Sequence, residues 1–119
     1  MGKRYAKSGY NDTAIDTNAR SILEPDRLKS GRVFRLKGLV ISNEHATGTA
    51  VVEIFNEEEA TTPAAPTAAN QRLNIQVGPA DTVVIDFPAP GVLFTAGPTA
   101  IQSGGTVAAY SVAAMGYEE

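Results

Sequence analysis

From Gln71 to Phe87 the chain reads QRLNIQVGPADTVVIDF, and no other stretch restricts its fold so strongly. Leu73, Ile75 and Val77 alternate with Arg72, Asn74 and Gln76, the two-residue period of a strand with one buried face. Gly78-Pro79-Ala80-Asp81 then interrupts the run, since proline fixes φ and glycine admits positive φ, so a reversal costs little there. From Thr82 the alternation resumes, with Val83, Ile85 and Phe87 on one face and Thr82, Val84 and Asp86 on the other. Two such runs about a turn predict a β-hairpin in the middle of an all-β domain.

The same grammar extends on both sides. RVFRLKGLVIS places Phe34, Leu36, Gly38 and Val40 on one face, and Val33, Arg35, Lys37, Leu39 and Ile41 on the other. After a turn at Asn43-Glu44-His45-Ala46, the run TGTAVVEIFNE alternates Ala50, Val52 and Ile54 with Val51, Glu53 and Phe55, which predicts a second hairpin. Glu57 to Asn70 reads as a long loop, because Pro63 and Pro66 exclude regular pairing. Val92 to Phe94 forms a short apolar strand between Gly/Pro turns. Two further strands are predicted to meet at Gly104-Gly105, where both positions accept positive φ. Ala108, Tyr110 and Val112 share one face of the last strand, and Val107, Ala109, Ser111 and Ala113 the other. About seven short strands with Gly/Pro turns, no internal repeat and no long helix predict an antiparallel β-sandwich, jelly-roll-like, over residues 31–119.

Residues 1–30 read differently. Polar and small residues dominate, the apolar ones are isolated, and only the stretch SILEPDRLKS, with Ile22, Leu23 and Leu28, suggests a short helical turn. The expectation is an extended basic N-terminal arm. Charge supports it: residues 1–37 carry nine basic side chains against four acids, a balance of +5, while residues 38–119 carry Arg72 alone against nine acids, a balance of −8. Such an arm would bind a partner through Lys3, Arg4, Tyr5, Lys7, Tyr10, Ile15, Arg20, Ile22 and Leu23, the partner being an acidic surface on another copy or on another protein. The arm has no dense Lys/Arg run, and the acidic body repels phosphate, which argues against nucleic acid.

The 119 residues suit one domain, and a hydrophobic content of 43% with 19% charged residues is ordinary for a globular protein. There is no cysteine, so disulfides and thiolate metal sites are excluded. No apolar run reaches the ~20 residues of a membrane helix. Lys3 and Arg4 are followed by no apolar segment of the secretory type, so a soluble, unexported chain is expected.

No catalytic constellation emerges. His45, the lone histidine, stands beside Glu44 in a turn with no nucleophile elbow nearby, and reads as surface decoration. Glu57-Glu58-Glu59 lacks the alternating oxygen ligands of a calcium loop and reads as a solvated, self-repelling loop start. Glu53 and Asp86 could form a glycosidase-like acid pair only if they faced one another across a sheet, and exposed strand positions are the simpler reading. Gly104-Gly105 opens no helix and is no phosphate loop. The chain is therefore expected not to be an enzyme and to need no cofactor or metal.

Several stretches carry a resemblance: Leu36-Lys37-Gly38-Leu39, Gly48-Thr49-Ala50-Val51-Val52, Val83 to Phe87, Pro90-Gly91-Val92, Gly97-Pro98 and Gly104-Gly105-Thr106. In these turn glycines and strand patterns, residues 31–110 resemble the small β-sandwich virion proteins of tailed bacteriophages, of the head decoration (cement) type. The resemblance implies a symmetric homo-oligomer, often a trimer, seated on the capsid surface after synthesis in the host cytoplasm, with the major capsid protein or another virion protein as partner. Similar patterns occur in head fibres and in tail or connector components. A carbohydrate-binding receptor-recognition module is a further class, for which Tyr110 and Tyr117 are the candidate stacking residues, although the chain has no tryptophan. Leu39, Ile41, Val51, Phe55 and Val84 are apolar beyond what one core needs and are the expected oligomer interface.

Overall fold

The computed structural model describes residues 5–11, 18–24, 27–59, 65–102 and 110–119. Its strands in chain order are β1 (Tyr5–Asn11), β2 (Arg20–Ser21), β3 (Phe34–Asn43), β4 (Ala50–Phe55), β5 (Gln71–Val77), β6 (Thr82–Asp86), β7 (Val92–Phe94), β8 (Thr99–Gln102) and β9 (Tyr110–Glu118). A 3-10 turn at Ala68–Asn70 leads into β5. Sheet A runs β1-β9-β3-β6, with β7 also paired to β3, and sheet B runs β2-β8-β4-β5.

Every pairing is antiparallel, and their order reveals the winding. β1 pairs with β9, β2 with β8, β3 with β6 and β7, and β4 with β5. The chain is thus one long antiparallel ribbon, folded at β4·β5 and rolled so that successive rungs fall alternately in sheets A and B. This is the jelly-roll arrangement of a β-sandwich. Phe34, Leu36, Leu39 and Ile41 from β3, with Tyr110, Val112 and Ala114 from β9, close the core from sheet A. Ala50, Val52 and Ile54 of β4, Val77 of β5 and Ala100 of β8 close it from sheet B.

Three expected hairpins give way to this winding. β5 and β6 lie in opposite sheets, as do β3 and β4, and β8 and β9. Leu73 and Ile75 pack on the core from sheet B while Val83, Ile85 and Phe87 pack on it from sheet A, so Gly78–Asp81 spans the sandwich rather than folding one sheet back on itself. Alternation marks which side of a strand is buried. It does not name the neighbour. Gly104-Gly105 lies outside the described residues.

The faces of β3 also change. Its register with β9 shifts between Leu36 and Gly38, a β-bulge at Lys37. The extra residue reverses the alternation, so Phe34 and Leu36 point inward before it and Leu39 and Ile41 after it. Leu39 and Ile41 are wholly buried core residues and not part of a second apolar face.

The segment expected to be a separate arm pairs into both sheets where it is described. β1 pairs with β9 along its whole length, from Tyr5 opposite Glu118 to Asn11 opposite Val112. Arg20 and Ser21 pair with Ala100 and Thr99. Ile22 and Leu23 are buried in the main core without forming a helical turn. Gly9 permits this packing: a Cβ there would collide with the backbone of Ile22 and Leu23, and Tyr10 N–H bonds to Glu24 O at 3.2 Å. Lys7 and Glu118, both nearly buried, form an ion pair at 3.4 Å that ties β1 to the C-terminal strand. Lys3, Arg4 and Ile15 lie outside the described residues.

Polar side chains close the sandwich ends. Buried Asn43 donates from Nδ2 to Gly48 O (2.8 Å), Gly78 O (3.1 Å) and Val77 O (3.2 Å), joining the β3–β4 and β5–β6 crossovers. Its Oδ1 accepts His45 N–H, and His45 Nδ1 accepts the N–H groups of Gly48 (2.7 Å) and Thr47 (3.1 Å). His45 is therefore a half-buried turn organiser rather than surface decoration. Asn56 Oδ1 likewise accepts three backbone N–H groups, from Thr95, Ala96 and Gly97.

Because Ile22 fills the core, Ile22→Ala should cost about 2–5 kcal/mol in a urea melt. An unchanged midpoint would return the N-terminal segment to the status of an arm.

Candidate interaction surface

Each sheet has an inner face on the core and an outer face, and the two outer faces differ in chemistry. On sheet B, β5 presents Arg72, Asn74 and Gln76, all exposed, and β4 adds Glu53, whose Oε1 lies 3.5 Å from Asn74 Nδ2. Val51, half-buried, stands opposite Gln76. Towards β8 this face carries a small apolar cluster of Ala19, Phe55 and Ile101, already buried within the chain. What remains open is a polar sheet surface.

Sheet A presents the opposite. Pairing across its strands aligns Tyr10, Ala113, Val40 and Val84 in one row, and Ser8, Met115, Gly38 and Asp86 in the next. The row beyond holds Ala6, Tyr117, Arg35 and Leu93. Among the described residues, five of the six large hydrophobic side chains that stay exposed lie on this surface: Val84, Tyr10, Met115, Tyr117 and Leu93. Val84 is 66% exposed and Tyr10 53%. The centre is flat, because Met115 lies across Gly38, where a Cβ would come within 2.9 Å of its Cγ. The charged groups around this surface are Asp86, Arg35, held at 3.2 Å by Glu119, and Lys37, whose Nζ donates to Phe87 O at 2.8 Å. An apolar patch spread over every strand of a sheet is what soluble chains reserve for contact.

A basic groove flanks it. Tyr5, Lys7, Lys29 and Arg32 gather around Glu118, with the Arg32 guanidinium 5.6 Å from the Tyr5 ring centre. Of the residues expected to bind through an arm, Tyr5, Tyr10 and Lys7 therefore meet at one edge of sheet A. Arg20 is half-buried beside β8, and Ile22 and Leu23 are not accessible. Of the expected oligomer interface, Val84 alone stands on the open apolar face. Leu39, Ile41 and Phe55 are buried.

The candidates for chemistry separate. Glu53 and Asp86 point outward from opposite sheets and cannot act as an acid pair. Glu57 and Glu59 are clasps rather than a solvated run. Glu57 Oε2 accepts Thr67 N–H at 2.5 Å; Glu59 Oε2 accepts Ser21 N–H at 2.6 Å, and its Oε1 lies 3.4 Å from Arg27. Tyr110 is 1% exposed and cannot stack on a sugar, whereas Tyr117 is accessible. Among the described residues no three His, Asp or Glu side chains gather as metal ligands, and no helix is long and apolar enough to cross a membrane. No protein-family model, curated protein or solved structure matches the chain.

Met115, Tyr117 and Leu93 were legible only in part: Ser111, Ala113, Met115 and Tyr117 alternate with core residues along β9, but the strand extends further toward the C-terminus than its small-residue start suggests.

Two substitutions separate the open face from the core. In protein dilute enough to be monomeric, Val84→Glu should leave stability within about 0.5 kcal/mol of the parent, because in the single chain its side chain is already in water. Ile41→Glu should cost more than ~4 kcal/mol by burying an unpaired carboxylate. Equal losses in urea melts would contradict the assignment of faces.

Proposed function

We propose that the chain is a structural virion protein, a decoration protein that binds a phage head lattice as a symmetric homo-oligomer and stabilises it. The observation that carries this reading is the contrast between the two outer faces: one polar and complete in itself, the other apolar and uncovered. The resemblance of its turn and strand patterns to phage decoration proteins points the same way. Jelly rolls recur among viral capsid and lectin domains, and since folds host many functions, the weight rests on the surface rather than on the topology.

With β1 and β2 paired into the body, sheet A serves the homo-oligomer, and attachment to the lattice falls to the basic groove beside it, not to a free arm. A basic groove on a chain of net charge −3 suits an acidic partner surface. Stabilisation would then arise from many copies, each bridging neighbouring lattice subunits, so that rupture requires several contacts to release together.

The test is cosedimentation with capsids assembled from the major capsid protein of the phage that encodes the chain. Saturable binding at a fixed number of copies per capsid, with a raised capsid melting temperature, is the expected result. Absence of binding overturns the decoration role. Binding to tails or connectors instead would move the protein to another virion location.

A further inference from the structure

We infer that the outer face of sheet A packs against the same face of a second copy about a two-fold axis running along the strands. This inference rests on the reading above only in taking that face as an assembly surface.

The first argument is size. Four strands at about 4.8 Å spacing, and nine residues of β9 at about 3.3 Å each, give a footprint of roughly 570 Å². That flat projection is roughly 70% of the ~800 Å² per partner of a standard interface, and the relief of the side chains adds to it.

The second argument is complementarity, which selects the axis. An axis along the strands lays the β1 column over the β6 and β7 column of the second copy, and β9 over β3, with rows kept in step. Tyr10 then covers Val84 of the other copy, and Ala6 meets Leu93, pairing large with small. Ser8 meets Asp86, a hydroxyl able to donate to a carboxylate. Tyr117 meets Arg35, a ring against a guanidinium. The face also fits the aligned mode in which twisted sheets pack about 10 Å apart. An axis across the strands, through the middle row, fails. It sets Asp86 against Asp86 of the second copy and Arg35 against Val40, combining like charge with a guanidinium set on an apolar site.

A face that meets its own copy is isologous and closes as a dimer. Any larger ring, including the trimer that the resemblance implies, would have to use other contacts.

The test uses the full chain at micromolar concentration and the absence of native cysteine. Light scattering should give twice the 12.5 kDa chain mass. Val84→Glu should weaken the dimer by at least about 30-fold, because the two-fold sets a carboxylate under the Tyr10 ring at two places in the interface. In the double variant Tyr10→Cys/Val84→Cys, a thiol crosslinker reaching about 10 Å, one inter-sheet spacing, should yield a covalent dimer. Within one copy these positions are three strand spacings apart, about 14 Å, beyond its reach. Neither single variant should crosslink. A monomer, a trimer, a dimer indifferent to Val84→Glu, or a dimer without the Tyr10–Val84 crosslink each overturns the pairing. Capsid cosedimentation of the same samples reports on the decoration role separately, so the two can fail independently.

Discussion

β9 is the strand on which the molecule depends. It is hydrogen-bonded on one side to β1 and on the other to β3, so the two ends of the chain are locked together at the centre of sheet A. The Lys7–Glu118 ion pair reinforces that closure, and Glu118 also accepts Lys29 N–H at 3.3 Å. Because β1 and β9 are opposite ends of one folded ribbon, this contact forms only when the roll is complete. Long-range pairing of that kind makes folding slow and cooperative. It also fixes the outer surface: with β1 in place, Tyr10 joins Ala113, Val40 and Val84 in a continuous apolar row.

The strands from β3 onward were legible from residue alternation; their partners were not. A run such as Leu73-Ile75-Val77 records that one side of a strand is buried, and either sheet of a sandwich can supply the burial. At Lys37 the bulge shifts the alternation by one residue, which no hydrophobicity pattern announces, and Leu39 and Ile41 change sides as a result. β1 was invisible for a different reason. Its inward positions are Lys7, Gly9 and Asn11, and each is polar or small because of what crosses above it. Lys7 meets Glu118, Gly9 makes room for the backbone of Ile22 and Leu23, and Asn11 Nδ2 donates to Ser21 O at 2.7 Å. A strand buried under backbone rather than side chains carries no period-two apolar signal.

The polar residues teach a related lesson. His45 and Glu57 to Glu59 invite readings as sites because they are titratable and clustered in sequence. His45, Glu57 and Glu59 instead accept backbone N–H groups, supplying partners that crossovers between sheets cannot find in a ladder. The interaction surface, by contrast, was only partly readable, since Tyr10, Val84, Leu93, Met115 and Tyr117 come from four strands far apart in the chain and become neighbours through the roll.

The central claim is that sheet A, and not sheet B, is the working face of this protein. Hydroxyl-radical labelling read by mass spectrometry, on dilute and on assembled protein, tests it most directly. The account predicts that Tyr10, Met115, Tyr117 and Leu93 lose labelling on assembly while Val51, Arg72 and Gln76, on the outer face of sheet B, keep theirs. Protection centred on the sheet B residues, with Met115 and Tyr10 still freely labelled, would contradict it.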